Sequence, residues 1–212
     1  ERDAAHRPIH RVGRVRELRQ LHVPGVERDK HAPSWRGHSD TETILAAFCA
    51  YGVKDTLQKL VGMFAIALWD RQDSTMVLAR DRAGEKPLYY TTKDNTLIFG
   101  SDLSSFLAYP KFSAKLDRRA PKTLLRYGYI PAPFTIYEDV HKLQPGQYAT
   151  VRLDAQGFTL THETYWALED CVALENTDQG SDAERLASVE DVLQQSVQDQ
   201  MVSDVPLGAF LS

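Results

Sequence analysis

Four places in this sequence hold residues whose types could do chemistry. The only thiols are Cys49 and Cys171. Either would act as a nucleophile only if a neighbouring base or positive charge removed its proton. Cys49 falls in an apolar helical pattern and reads as core, while Cys171 sits beside a polar stretch. Their spacing suggests neither a metal site nor a disulfide framework. Asp40, within Ser39-Asp40-Thr41-Glu42, is an acid in the first turn of a helix. There it complements the backbone dipole by about 0.3–1 kcal/mol. Arg80, Asp81, Arg82 and Lys86 cluster beside Gly84, and an ion-pair network fixing a strand end suits them better than an anion site. Finally, Val205-Pro206-Leu207-Gly208-Ala209-Phe210-Leu211-Ser212 has the pattern of a buried strand ending in Ser. Such strands, opening into a Gly-rich turn and a helix, cradle phosphate in α/β proteins. That turn lies outside these residues, so the sequence reads as cut in mid-motif.

Periodicity gives the elements that must position these groups. Ser39 as N-cap with Glu42 three residues on is a capping box. Ile44, Leu45, Phe48 and Cys49 follow on one helical face, with Gly52 as C-cap, and Leu57, Leu60 and Val61 suggest a second short helix. Residues 63–70 form an apolar run of strand length, buried on both sides. It turns at Gln72-Asp73-Ser74 into a partner over residues 75–81. Residues 87–91 and 96–100 make another strand pair, and Trp69, Tyr89 and Tyr90 read as core aromatics. A short helix over 104–108 stops at Pro110, and 127–133 reads as loop. Residues 147–151 and 158–161 form a late hairpin. An acidic, polar linker follows, and Leu186, Val189, Val192, Leu193 and Val197 then resume a helical period leading into the terminal strand. Hairpins first, then a linker, then a helix feeding a strand imply two domains of different class.

Composition narrows the field. The chain has 212 residues, is 42% hydrophobic and 25% charged, and carries a formal net charge of −4. Those values describe an ordinary globular protein and give no general surface for nucleic acid or membrane. No apolar run reaches the ~20 residues of a spanning helix, and no signal peptide opens the chain. A reduced, cytoplasmic setting is the expectation. Residues 1–36 hold nine Lys or Arg and four of the seven histidines, with scarcely an apolar period. Residues 1–30 are expected to be disordered or out of frame.

Several segments, in fixed order, resemble the glutamine-hydrolysing asparagine synthetase family. They are Gly37 to Glu42, Gly62 to Ala65, Ala79 to Tyr90, Phe99 to Asp102, Gly128 to Pro131, Leu143 to Gly146 and Ser203 to Gly208. The Arg-Asp-Arg-Ala-Gly-Glu-Lys-Pro-Leu-Tyr-Tyr string (residues 80–90) is the most specific of them. The likeness covers roughly residue 31 to 212. It implies an α+β fold: an αββα sandwich of the N-terminal-nucleophile hydrolase type, followed by the first elements of an α/β ATP-pyrophosphatase domain. Residues 31–167 would be a partial glutaminase domain, 168–182 a linker and 183–212 the start of the synthetase domain.

The resemblance also implies substrates and roles. Glutamine, aspartate and ATP with Mg2+ would be the small-molecule partners, with no nucleic acid and no membrane. Ammonia freed from glutamine would pass to an adenylated aspartate, giving asparagine, glutamate, AMP and pyrophosphate. Asp40 matches the carboxylate that binds the α-ammonium of glutamine. Phe210, Leu211 and Ser212 match the start of the ATP pocket. Asp102 replaces the family's Glu. The family's catalytic Cys, which supplies its own α-amino group as base, and its Asn-Gly-Glu oxyanion segment have no counterpart here. No catalytic residue and no metal ligand is therefore assigned, and this polypeptide is expected to be inactive alone. Rival readings are a sister amidotransferase that amidates another carboxylate, a non-catalytic glutamine-binding module, and a decayed gene product.

Overall fold

Alternation along two short strands explains how residues 63–167 are layered. A computed structural model describes residues 40–71, 73–93, 96–154, 157–172, 180–201 and 208, with backbone alone at Asp40, Leu153 and Asp154. In chain order the elements are α1 (Asp40–Lys59), β1 (Ala65–Asp70), β2 (Thr75–Arg80), β3 (Tyr89–Thr91), β4 (Ile98–Gly100), α2 (Ser104–Leu107), α3 (Ala120–Tyr127), β5 (His141–Lys142), β6 (Gln147–Asp154), β7 (Gly157–Thr164), α4 (Leu168–Val172) and α5 (Asp182–Gln200). The chain divides into two units. Among the described residues the first is Met63–Ala167, and the second comprises 40–62 together with those from Leu168 onward.

Two antiparallel sheets make up the first unit: four strands in the order β1-β2-β6-β7 and three in the order β4-β3-β5. Successive side chains on a strand point to opposite faces. Tyr90 and its cross-strand partner Phe99 therefore join Leu88 and Leu97 in one core, together with Met76, Leu78, Leu143, Ala149 and Val151 from the larger sheet and its approaches. Their neighbours Tyr89 and Ile98 face the other way, into a second cluster with Phe106 of α2, Phe112, Tyr137 and Val140. One sheet face thus packs on the other sheet, and the far face of the small sheet packs under α2. β2 is buried at all six positions, whereas β1, the run read as buried on both sides, is buried only at Ala65 and Ile66 and becomes exposed at Trp69 and Asp70. The Tyr90 hydroxyl lies 2.7 Å from His162 Nε2, tying β3 to β7 across the layers. Burial raises the Tyr90 pKa, while burial and the neighbouring His141 lower that of His162.

The expected hairpins are present, with corrected lengths. The late pair runs 147–154 with 157–164, longer than the sequence suggested, and β3 and β4 are each three residues. The segment read as loop, 127–133, is loop from Gly128 onward; before it lies α3, which the sequence reading left unassigned, with Pro at its first turn and Gly128 in the left-handed conformation (φ 76°) at its end, the Gly128 N–H bonding to Leu124 O at 2.8 Å. Pro inside the start and Gly past the end is a legible helix bracket. Two residues taken as core are not. Trp69 is 38% exposed near the outer end of β1, and Cys49 is exposed. The inward set of α1 is Ile44, Ala47 and Phe48, so Leu45 and Cys49 fall on its flanks.

In the second unit, Gly52 interrupts α1 with φ 75° and ψ −177°. Beyond it Thr56, Leu57 and Leu60 are buried, and Thr56 Oγ1 donates to Ala47 O at 2.9 Å, joining the two halves across the break. α5 begins in a full capping box. The Glu184 N–H bonds to Ser181 Oγ, and the Ser181 N–H bonds to Glu184 Oε2 at 2.7 Å. Among the described residues no helix is long and apolar enough to cross a membrane.

Candidate functional site

Asp40 is the first residue of α1, so its position falls at the positive end of a helix dipole. Its side chain, the Ser39 cap and residues 1–30 lie outside the description, as do Phe210, Leu211 and Ser212. What the structure does show is the frame built by the most specific motif.

That frame centres on Arg80 and Asp81, where β2 ends. Asp81 is 1% exposed. Its Oδ2 accepts from Lys86 N at 2.9 Å and Phe64 N at 3.3 Å, and its Oδ1 accepts from Glu85 N at 2.9 Å. Its backbone carbonyl takes Gly146 N at 2.9 Å and Gly84 N at 3.2 Å. The Arg80 guanidinium donates to three carbonyls: Lys86 O at 2.8 Å, Leu143 O at 2.7 Å and Gly84 O. Burial lowers the Arg80 pKa, with Asp81 acting in the opposite sense. The cluster is thus structural, as the sequence suggested. The side chains of Arg80 and Asp81 make these hydrogen bonds to backbone groups, where ion pairs were expected. A side-chain fork that satisfies carbonyls from several loops fixes more chain than a single carboxylate partner would.

Two glycines let those loops meet. Gly84 has φ +70°, and a Cβ there would stand 2.7 Å from Pro145 Cγ and 3.0 Å from the Arg80 guanidinium. Gly146 has φ +65°, and a Cβ there would collide with the Trp166 carbonyl oxygen. Gly146 O accepts from Tyr165 N at 2.9 Å, and the Tyr165 hydroxyl donates to Arg80 O at 2.8 Å. Residues 80–86, 143–146 and 165–166 close into one knot below the inter-sheet core. Burial, with Asp81 nearby, pushes the Tyr165 phenol well above its ordinary value.

Asp102 has a local use. Its Oδ1 accepts from Ser104 N at 2.8 Å and its carbonyl from Ser105 Oγ at 2.6 Å, starting α2. The short Asp side chain suits this i to i+2 turn and supplies a helix-start acceptor. Gly100 makes room, since a Cβ there would lie 2.7 Å from Ser105 Oγ.

Before α3, Asp117 receives the Arg119 guanidinium in a fork at 2.8–3.2 Å and the Arg119 N–H at 2.9 Å. Those bonds hold the carboxyl down to about 2. A group depressed from the ordinary value of about 3.9 contributes stability that is fully present above that value. The contribution is lost as pH falls towards 2. Urea midpoints measured from about pH 5 down to about pH 2 should therefore fall less steeply in Asp117→Asn than in the parent. Parallel curves would remove the fork from the acid response.

Among the described residues no group of three or more His, Cys, Asp or Glu is placed to hold a metal. Cys49 lies within α1 and Cys171 within α4. Both α-nitrogens are therefore peptide nitrogens, and neither thiol is joined to a free amine.

Two antiparallel sheets around one core, with their connecting loops locked by an Arg–Asp knot, define an α+β domain with antiparallel sheets. The chain belongs to the glutamine amidotransferase domain family, which matches residues 22–166. Among its relatives is asparagine synthetase [glutamine-hydrolyzing] 3 of Bacillus subtilis, 33% identical over 183 residues, covering 84% of this chain and 28% of that protein. Asparagine synthetase [glutamine-hydrolyzing] 1 of the same organism is 34% identical over 174 residues, covering 82% and 26%. Amidase chry2 of Gibberella zeae is 32% identical over 181 residues, covering 83% and 25%. The chain thus spans about a quarter of the length of these relatives.

Proposed function

We propose that residues 31–167 are the glutamine-binding part of a glutamine-dependent asparagine synthetase, folded as the αββα sandwich of N-terminal-nucleophile hydrolases. The observation that carries this reading is the family match over residues 22–166, together with 33% identity to a glutamine-hydrolysing asparagine synthetase across 84% of the chain. Asp40, at the start of α1, holds the α-ammonium of glutamine through a charge-assisted hydrogen bond. The Arg80–Asp81 knot fixes the loops of the first unit. In the whole enzyme, ammonia from glutamine would be passed to aspartate activated by ATP and Mg2+. Residues 183–212 would begin the domain that does so. Phe210, Leu211 and Ser212 would offer backbone groups and one hydroxyl at the start of its ATP pocket.

This 212-residue polypeptide is expected to bind L-glutamine without hydrolysing it, because neither of its cysteines carries a free α-amine. Titration calorimetry of the chain with L-glutamine tests the binding. Asp40→Asn should weaken it about 10- to 100-fold, the value of one hydrogen bond to a charged group. A folded chain that shows no heat with glutamine would sink the reading, and ammonia release above a heat-killed control would sink the claim of inactivity. A second acceptor is favoured by the amidase relative, which matches over a similar span at slightly lower identity than the synthetases. A sister amidotransferase acting on another carboxylate would bind glutamine here in the same way.

A further inference from the structure

The far face of the small sheet carries a cavity of about 150 Å³. Its floor is the cross-strand pair Thr91 and Ile98, each 3% exposed. Tyr109 and Phe112 wall one side, the turn at Glu138 and Asp139 another, and Lys93 and Lys111 add their ammonium groups. The walls are braced from behind. Thr135 Oγ1 donates to Val140 O at 2.9 Å and accepts from Tyr137 N at 3.1 Å, while Glu138 N donates to Lys115 O at 2.8 Å. Phe112 packs edge-on against Phe106 and Tyr137, with ring centroids 5.7 and 5.5 Å apart. The cavity is therefore preformed, as ligand pockets mostly are.

We propose that this cavity binds a small zwitterionic α-amino acid, in addition to the glutamine assigned to Asp40. Size sets the class first. About 150 Å³ holds roughly five waters at ~30 Å³ each, whereas cofactor pockets run to about 300–1,000 Å³, so a nucleotide does not fit. Charge narrows it further. Lys93 and Lys111 face Glu138 and Asp139 around one small opening. A plain anion would meet two carboxylates there and a plain cation two ammonium groups, while a molecule carrying one charge of each sign can pair with both.

The groups are available for that pairing. Asp139 Oδ2 takes Lys93 Nζ at 2.7 Å and Glu138 Oε2 takes Lys115 Nζ at 2.7 Å, which leaves the second oxygen of each for an ammonium. The Lys93 bond holds the Asp139 carboxyl below its ordinary value and so keeps it charged. Lys111 has no carboxylate partner among the described residues and is the cation left for the ligand's carboxylate. Thr91 is buried, yet its hydroxyl bonds to no other described residue, a cost that a polar side-chain tip on the ligand would remove. The site lies wholly in the first unit and stands whether or not glutamine binds at Asp40.

Hydrogen exchange read by mass spectrometry on the 212-residue chain tests it, with L-asparagine as the probe and succinate and inorganic phosphate as anionic controls. At about 10 mM, L-asparagine should slow exchange within 109–113 and 138–140 by about 5- to 10-fold, and the controls should not. Lys111→Gln, a change at an exposed position, should raise the concentration needed by about 5- to 10-fold, and Lys111→Arg should restore it. Asp139→Asn should also weaken L-asparagine while admitting succinate, because one repelling carboxylate is gone. A chain in which L-asparagine protects neither segment would overturn the proposal. So would equal protection by succinate or phosphate in the parent, or protection that Lys111→Gln leaves unchanged. Slowed exchange confined to 41–44 would mark binding at the Asp40 position alone, and would overturn this site while leaving the glutamine reading intact.

Discussion

Gly146→Ala is expected to destabilise the first unit by about 2–4 kcal/mol, visible as a lower urea midpoint at unchanged slope. Two independent costs add. The backbone at φ +65° is left-handed, which costs a residue with a Cβ about 1 kcal/mol. The new methyl also meets the Trp166 carbonyl oxygen, a backbone atom held by the turn itself, because Gly146 O accepts from both Tyr165 N and Trp166 N. Relief would require opening those bonds, and overpacking of this kind adds about 1–3 kcal/mol. Gly84→Ala makes a useful comparison. Its neighbours are side-chain atoms of Pro145 and Arg80, which can yield, so its effect should be smaller. Equal midpoints for the two variants would contradict this account.

Asp81→Ala should be the most damaging single change in the charged motif, at about 4 kcal/mol. It leaves three N–H groups, those of Phe64, Glu85 and Lys86, without their carboxylate acceptor. A hydrogen bond to a charged group contributes about 1.5–3 kcal/mol, and orphaned buried donors add their own desolvation cost. Asp81→Asn keeps the shape and one acceptor oxygen, so its loss should be roughly half as large. Asp102→Ala, an exposed start to a four-residue helix, should cost only about 0.5–1 kcal/mol. Chemical denaturation of the three variants side by side checks the order. An Asp81→Ala protein as stable as Asp102→Ala would mean that the knot contributes little.

How much of this was legible beforehand differs by element. The hairpins were readable because turn residues sat between strand-length apolar runs, and Gly52 marked a helix break from its type alone. α3 was missed although Pro121 and Gly128 bracket it, because a helix of eight residues with Ala120 alone buried leaves little apolar period to read. Cys49 and Trp69 were misplaced for a shared reason. A hydrophobic pattern fixes an element's inward side only to within about one residue, and side chains on the flank or at a fraying strand end escape burial. The knot was the least legible part. Arg80 reaches Leu143 across 63 positions and Tyr165 reaches Arg80 across 85, and no local pattern reports such pairings. The family string marked the right residues but suggested ion pairs, because charged side chains advertise each other in sequence whereas backbone carbonyls do not. The site residues Asp40 and Phe210 to Ser212 rest on resemblance, since their side chains lie outside the described set.

Gly52 has a further effect on the helix it interrupts. At 100° per residue, an unbroken helix would turn Thr56, Leu57 and Leu60 to nearly the opposite side of the rod from Ile44, Ala47 and Phe48, about half a turn away. Yet all six are buried. The break at φ 75° therefore works as a phase shifter, letting two segments of incompatible angular register turn the same way. No atom crowds the position, so the torsion alone excludes an L side chain. A D-alanine, whose preferred angles mirror those of its L form, should fit there without strain. A straightening L-residue would have to turn one of the two triplets out into water.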